Sequence, residues 1–541
     1  MTNESHPEVC DSSIPIETLT DGNELVIAFV AAVGVNLTVA EEAVKRGLAL
    51  FGYATEDIKL TRNVLTKLDP AAVGDFANDY ERIDKMMDIG TEARRAHGSD
   101  VLAKGIACEI AGRRKKPGFT SRTAFLVHSL KHPDEVRKLR ELYPRGFYLI
   151  GVHAHPVMRL AHLTNVRKIN PLDAKRLMKR DKKEDVRFGQ QVNDTFHLSD
   201  FFVGWGGDDE ESTAVQLTFA DSAGENSDSI HSQNRKRVEA SIFRFIDIIF
   251  GHPHKTPTFG EYAMFLAFTS SLRSADLSRQ VGAVVARDGE ILSTGANDCP
   301  SAGGGLYWPS FNPKSGEILD SAKGRDYMRG FDSNRSEQDS LINKIVEEVR
   351  RAEFDPELIE SLRDVLGDSP IRSLTEYGRV VHAEMEALLA CARKGIPTKG
   401  ATIYCTTFPC HNCAKHIIAA GIERVVFVEP YLKSKAFDFH ADAITISYPQ
   451  NEGIDALGTR VFRDDRVRFE PFFGVGPRRF FDLFSMTLGA GFPVVRKHVN
   501  GKCVDWSPEG KTPRLAMQAS SYLDREQVAA DEFTAMCQTS N

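Results

Sequence analysis

Apolar residues in this chain come in short runs separated by polar and glycine-containing stretches. The first run, Glu24 to Val30 (ELVIAFV), predicts a buried strand. It leads through a glycine-containing turn into a predicted helix over Val39 to Phe51. A strand–turn–helix opening points to an α/β domain. Phe147 to Val152 (FYLIGV) and Phe201 to Val203 read as further buried strands. Between them, the charged stretch Asp173 to Arg187 reads as a solvated helix or lid. Residues 205–234, rich in Gly, Asp, Glu and Ser, read as a loop or linker. In Lys236 to Phe250 the apolar positions Ile242, Phe245, Ile246 and Ile249 recur at helical spacing.

The second half opens near Thr256 with a predicted helix from Phe259 to Leu272. Two β-branched runs follow, Val281 to Ala286 and Ile291 to Thr294. Arg287-Asp288-Gly289-Glu290 between them makes a hairpin signal. Residues 303–378 form a long polar insertion with one evident helix, Gln338 to Arg351. Next are expected a helix carrying His382, a strand at Thr402 to Cys405, a helix starting at Cys410 and a strand at Val425 to Val428. No internal repeat is visible.

Length and composition bound these elements. A chain of 541 residues exceeds one hydrophobic core. The patterning divides it into a disordered N-terminus over 1–21, a first domain over 22–250, a second over 256–505 and a polar tail over 506–541. At 42% hydrophobic and 26% charged residues the composition is globular. A net charge of -7 argues against non-specific coating of nucleic acid. No apolar run reaches the roughly 18 to 20 residues that span a membrane. The opening stretch is polar and acidic, unlike a signal peptide, so a cytoplasmic location is expected. In a reducing compartment, closely spaced cysteines bind metal more readily than they form disulfides. Among nine cysteines only Cys410 and Cys413 have metal-ligand spacing.

That pair carries the chemistry. His382-Ala383-Glu384 and Pro409-Cys410-His411-Asn412-Cys413 match the His-x-Glu…Pro-Cys-x-x-Cys signature of zinc-dependent nucleobase deaminases. Three protein ligands, His382, Cys410 and Cys413, leave a fourth zinc position open for water. Pro409 suits a helix start because it lacks an N–H that would go unused there. Cys410 and Cys413 then fall on one face of the first turn, where the helix dipole favours thiolates. Glu384 is not needed as a ligand and is the candidate proton carrier. Cys405 ends a strand and reads as a core residue.

From about Glu261 to Phe484 the chain resembles the deoxycytidylate deaminases. The likeness rests on Ser271-Leu-Arg273-Ser-Ala-Asp-Leu-Ser278-Arg279-Gln280-Val281-Gly282-Ala283 and on Gly295-Ala-Asn297-Asp-Cys-Pro300. It implies that Asn297 contacts the deoxyribose and that Arg273 and Arg279 are candidates for holding phosphate, since Arg suits such oxygens. Tyr404 to Cys413, Glu429-Pro430-Tyr431 and Gly476-Pro477-Arg478-Arg479 make the whole architecture similar to the bacterial anti-phage dCTP deaminases. That resemblance implies a P-loop-kinase-like N-terminal α/β domain plus a C-terminal cytidine-deaminase-like α/β/α sandwich. It implies Zn2+ as cofactor, a small-molecule deoxycytidine nucleotide as substrate, and depletion of dCTP and dCMP during infection. It further implies a homo-oligomer and an inhibitory small RNA.

The N-terminal half departs from a working kinase. Aligned on G-x-x-x-x-G-K-[ST], it reads Ala31-Ala-Val-Gly34-Val-Asn36-Leu37-Thr38. Both pattern glycines and the lysine are absent; Gly34 and Thr38 remain. A fold kept for structure or regulation is expected, with no phosphoryl transfer. His153 and His155, two apart and without an acidic neighbour, read as packing residues rather than metal ligands. Two other readings stay open: a deaminase acting on single-stranded DNA or tRNA, and a nucleotide-sensing regulatory protein. The first calls for a basic groove with interleaved aromatics, which the acidic balance disfavours. The intact Glu384 argues against the second.

Overall fold

The computed structural model describes residues 23–69, 72, 74, 76–182, 184, 188–204, 227–352, 356–367, 369–374, 376–429, 435–446, 453–454, 460–461, 465–515 and 519–539. The expected disordered N-terminus lies outside them, as do residues 205–226 and Pro430-Tyr431.

The first half is built on strand β1 (Leu25–Ala31), helix α1 (Thr38–Ala49) and β2 (Ala54–Lys59). After them come α2 (Asp79–His97), α3 (Val101–Arg114), β3 (Thr123–His128), α4 (Pro133–Leu142) and β4 (Phe147–His153). The short helix α5 (Val192–Phe196), β5 (Phe201–Gly204) and α6 (Ser227–Ile249) complete this half. The five strands pair in parallel in the order β5-β4-β1-β3-β2. The central strands are buried along their whole length, as a sheet covered by helices on both faces requires. That is why they read as unbroken apolar runs. β2 (ATEDIK) did not stand out because it lies at an edge and only Ile58 is buried. β3 (TAFLVH) is as apolar as its neighbours but shorter. The charged stretch expected over 173–187 is helical over Pro171–Lys182. The last eight residues of the expected linker 205–234 belong instead to α6.

The second half starts with α7 (Phe259–Ser271), then the hairpin β6 (Gly282–Arg287) and β7 (Glu290–Ala296). The insertion contributes a two-residue hairpin, Ser310–Phe311 against Ile318–Leu319, and the helices Ser333–Arg351 and Pro356–Gly367. Helix α8 (Ala383–Lys394), β8 (Thr402–Cys405), α9 (His411–Ala419) and β9 (Arg424–Phe427) follow. β10 (Ile444–Ile446) and β11 (Val467–Pro471) complete a six-stranded mixed sheet, β10-β11-β9-β8-β6-β7. Helix α7 packs on β6, and α8 packs on β7.

The C-terminal segment corrects the expected boundaries. β12 (Gly474–Val475) crosses back and pairs antiparallel with β5, extending the first sheet. Helix α10 (Pro477–Phe484) follows it. Arg479 locks that return: its guanidinium donates to the Phe147 carbonyl at 3.0 Å and stacks over Tyr148. Glu261, almost fully buried, accepts from the Val475 N–H and pairs with Arg244 on α6, so one carboxylate ties α6, α7 and β12. The expected polar tail 506–541 is instead structured. Its helix α11 (Ala519–Thr539) lays Ala529, Ala530 and Phe533 into the first half's core against α3. Glu526 is buried between Arg114 and Tyr143. Its polar look came from the exposed face of an amphipathic helix.

Candidate active site

Two helix starts meet over the second sheet. His382 is the N-cap of α8, and Cys410 is the N-cap of α9. Both had been expected inside their helices, with Pro409 opening the second one; each lies one position earlier than the first helical residue. The N-cap position places both donors beside the unpaired N–H groups of a first turn. The Cys413 N–H donates to Cys410 Sγ at 3.4 Å. Gly295 on β7 makes the approach of α8 possible. A Cβ there would fall on the Ala383 carbonyl oxygen and come within 2.6 Å of the Ala387 nitrogen. Ser293 on the same strand donates to the Ala387 carbonyl at 2.7 Å.

His382 Nδ1 lies 3.3 Å from Cys410 Sγ and 3.3 Å from Cys413 Sγ. All three donor atoms fall within 4.8 Å of one another, and among the described residues no fourth His, Cys, Asp or Glu joins them. The donor set fits zinc: one imidazole nitrogen, two sulfurs and a place left for a further ligand. Cys405 is buried beneath the site, and burial pushes its thiol well above the ordinary range, as suits a core residue. Hydrogen bonding from the Cys413 thiol and from His382 pulls Cys410 down to about 3, so it is a thiolate. The Cys410 thiolate raises both His382 and Cys413. Glu384, 3% exposed, is the second residue of α8, two after His382. Burial and then the Cys410 charge raise its carboxyl above the usual range, which suits a group that takes up and releases a proton.

Asn297 ends the hairpin and is buried. Its Oδ1 accepts from the Val281 N–H at 2.7 Å and its Nδ2 donates to the Arg279 carbonyl at 2.8 Å. The residue thus fixes the Arg279–Val281 segment at the edge of the site. The Arg279 side chain is exposed, and its charge is close enough to act on His382. Arg273 is drawn the other way, into the insertion: it donates to the Tyr307 carbonyl at 2.8 Å and lies 3.7 Å over the Trp308 ring. Asp298, next to Asn297, pairs with Arg325 of the insertion at 3.2 Å. The insertion is therefore packed against the strand end that carries Asn297.

One residue with a role at this site was given none by its sequence. Glu429, 1% exposed, accepts from the Phe408 N–H at 3.0 Å, two residues before Cys410. Its other oxygen accepts from Asn193 of α5 at 2.9 Å, a residue of the first half. An acid directly after the apolar run Val425 to Val428 was the available signal.

The loop between β1 and α1 brings together no comparable chemistry. Ala31 ends β1, and Gly34 takes a φ of 88°. The Asn36 side chain accepts from the Thr38 N–H at 3.1 Å, and Leu37 caps α1 without a side-chain bond. The Val33 N–H is taken by Asp181 at 2.7 Å. His153 and His155 belong to no metal-ligand cluster among the described residues. Burial pushes them down to about 3 and about 4, so both are neutral.

The second half of the chain is similar to known proteins. The family described as "Cytidine and deoxycytidylate deaminase zinc-binding region" matches residues 257–429, the span holding the whole cluster. The deoxycytidylate deaminase of Enterobacteria phage T4 is 31% identical over 175 residues, covering 31% of this chain and 77% of the phage protein. ComE operon protein 2 of Bacillus subtilis is 53% identical over 53 residues, 10% of this chain and 28% of that protein. The crystal structure of the cyanophage S-TIM5 dCMP deaminase covers 40% of this chain and 99% of its own, at 18% identity and a TM-score of 0.20. The shared length with the T4 protein and the convergence of its signature residues on one cluster place this chain in the deoxycytidylate deaminase family.

Proposed function

We propose that the chain hydrolyses deoxycytidine nucleotides, dCTP and dCMP, to the deoxyuridine nucleotides with release of ammonia. The observation that carries this is His382 Nδ1 at 3.3 Å from both sulfurs with the buried Glu384 carboxyl beside them. Zinc held by those three donors supplies a Lewis acid that makes water nucleophilic near neutral pH. Glu384 takes one proton from water as it adds to C4 and passes it to the ring nitrogen, then takes the second from the new C4 hydroxyl and gives it to the departing amine. Water is consumed and ammonia leaves, so the carboxyl ends as it began. Asn297, through its hold on Arg279–Val281, shapes the edge where the sugar sits; exposed Arg279 is placed to meet phosphate. Arg273, engaged by Tyr307 and Trp308, supports the insertion over the site rather than the phosphate directly.

Removal of dCTP and dCMP would starve DNA synthesis, which fits an anti-phage role. The first half serves as a kinase-like scaffold without phosphoryl transfer. Its parallel order β5-β4-β1-β3-β2 with a glycine turn after β1 supports the fold, and the missing lysine at Leu37 supports the loss of chemistry. The insertion hairpin exposes Phe311 and Ile318, which favours a homo-oligomer. The decisive experiment compares ammonia release from dCTP, dCMP, cytidine and a single-stranded oligonucleotide. The free nucleotides should be turned over far faster than the oligonucleotide; preference for the oligonucleotide overturns the reading.

A further inference from the structure

The loop that carries Cys410 is held from two sides. Strand β8 ends at Cys405, and the chain reaches Cys410 through Thr406, Thr407, Phe408 and Pro409. Thr406 is tied to β6: its N–H donates to the Gly282 carbonyl and its hydroxyl accepts from the Gly282 N–H, both at 3.0 Å. Pro409 has no N–H. The Phe408 N–H is therefore the last backbone donor before Cys410, and it goes to Glu429 Oε2 at 3.0 Å. The Phe408 ring is buried edge-on against Phe427, with centroids 4.9 Å apart. Any displacement of Phe408 passes through one stiff proline to Cys410 Sγ.

Glu429 is itself held from the first half. It is 1% exposed, and burying a carboxylate is costly unless it is hydrogen-bonded or paired. Asn193 Nδ2 donates to its Oε1 at 2.9 Å, and His197 Nε2 stands 3.8 Å from the same oxygen. Asn193 belongs to α5, and His197 directly follows that helix. The matched family region spans 257–429, so Glu429 is its last residue and both of these side chains lie outside it.

Helix α5 is a rigid mount. The Gln191 N–H donates to the Lys131 carbonyl at 2.9 Å, and Val192 and Phe196 are buried. Their core is continuous across the two halves, because Val426, Val428 and Tyr404 belong to it as well. Asn193 is 3% exposed, and its Oδ1 has no hydrogen-bond partner among the described residues. Buried side-chain amides are ordinarily satisfied, so this one is placed for its bond to Glu429.

We infer that Asn193 is a positioning residue for the deamination, supplied by the first half. It fixes Glu429, Glu429 fixes the Phe408 N–H, and that N–H sets where Cys410 Sγ stands relative to His382 and Cys413. The residue acts through this chain of contacts and touches none of the three metal-binding side chains. The contact gives the first half a role in turnover that needs no phosphoryl transfer.

The effect on kcat rests on the deaminase reading. The placement of Cys410 does not, and it is read separately with cobalt(II) bound in place of zinc. Thiolate-to-cobalt absorption reports the arrangement of the sulfur ligands without any substrate. In the full chain, Asn193→Ala should shift that absorption and leave KM for dCMP little changed. Its kcat should fall by about tenfold or more, since a displacement of ~1 Å can cost on the order of 10²-fold. Asn193→Asp should do worse, because two carboxylates then face each other across the 2.9 Å contact. Adding Glu429→Gln to Asn193→Asp exchanges donor and acceptor: the new amide donates to the new carboxylate while its oxygen keeps the Phe408 N–H. That double variant should recover the wild-type absorption and most of kcat, which loss of packing does not predict. If Asn193→Asp does not fold, recovery is read against Asn193→Ala. Wild-type absorption in Asn193→Ala, a double variant no better than the single one, or a change confined to KM overturns the proposal. A chain that turns over no deoxycytidine nucleotide, yet shows the cobalt shift and its recovery, overturns the deaminase reading and supports the placement.

Discussion

The loop at Ala31–Thr38 and the loop at Phe408–Cys413 are built alike, and only one brings chemistry together. Each carries the chain off the end of a buried strand and into a helix, where backbone N–H groups are unpaired. In the second loop the capping side chain is Cys410, and the neighbouring helix start supplies His382, so the unpaired N–H groups support thiolates. In the first, the capping residue is Leu37, Asn36 turns inward to its own backbone, and Asp181 occupies the Val33 N–H. The first loop gives its Val33 and Thr38 N–H groups to protein acceptors; the second has gathered three donors that suit a metal. A shared backbone device therefore says little about activity. The side chains placed at the cap decide it.

The largest effect that separates the two loops is loss of metal. Cys410→Ser or His382→Ala should remove bound zinc and all measurable ammonia release, read by metal analysis beside the activity assay. Glu384→Ala should keep the zinc and lower kcat by about 10²–10⁴-fold, the usual worth of a positioned acid–base group. Appreciable turnover in that variant would mean the proton takes another route.

A smaller loss is expected where the second loop is held from outside. Glu429→Ala leaves the buried Phe408 N–H without its acceptor and should cost about 1–3 kcal/mol of stability in a denaturant titration. Its kcat should fall while zinc content stays near wild type. If stability and kcat were both unchanged, the loop would be held by other contacts. Asn297→Ala should raise KM for the deoxynucleotide by about tenfold with zinc retained, and should also cost stability because the buried Val281 N–H loses its acceptor. An unchanged KM would confine Asn297 to bracing Arg279–Val281.

The smallest effect is reserved for the first loop. Leu37→Lys restores the charge of a phosphate-binding lysine, yet Asn36 and Asp181 still fill the space around it. Phosphoryl transfer depends on positioning as well as charge. No transfer of the γ-phosphate from ATP to any nucleoside or nucleotide should appear, and deaminase kcat should stay within about twofold. Kinase activity in the unaltered chain would erase the contrast between the loops.

The elements legible in the sequence are those in which a local pattern carries the physics. β1, β4 and β5 are apolar because helices cover both faces of a parallel sheet, so their runs are visible in one dimension. The hairpin β6–β7 shows through its Asp288-Gly289 turn, both residues having positive φ. The cluster of His382, Cys410 and Cys413 was legible because metal binding constrains both residue type and spacing. Strand β2 was not, since it is an exposed edge with one buried side chain. The tail was misjudged because Ala529, Ala530 and Phe533 find their partners more than 400 residues away, on α3.

What the sequence offered by itself is the candidate chemistry: three residues whose types and spacing suit zinc, an acid proposed to move the proton, and a loop without the lysine of a phosphate-binding motif. These depend on residue identity at short spacing. Tertiary structure alone decided the rest. It brought His382 and Cys410 to two helix caps facing one another, made Gly295 the point of contact that allows it, and led β12 and α11 back into the first half. It also set Glu429 between Asn193 and Phe408. Such placements come from packing between separate segments, 21 residues apart for Phe408 and Glu429 and 236 for Asn193 and Glu429, and no spacing within a single segment encodes them.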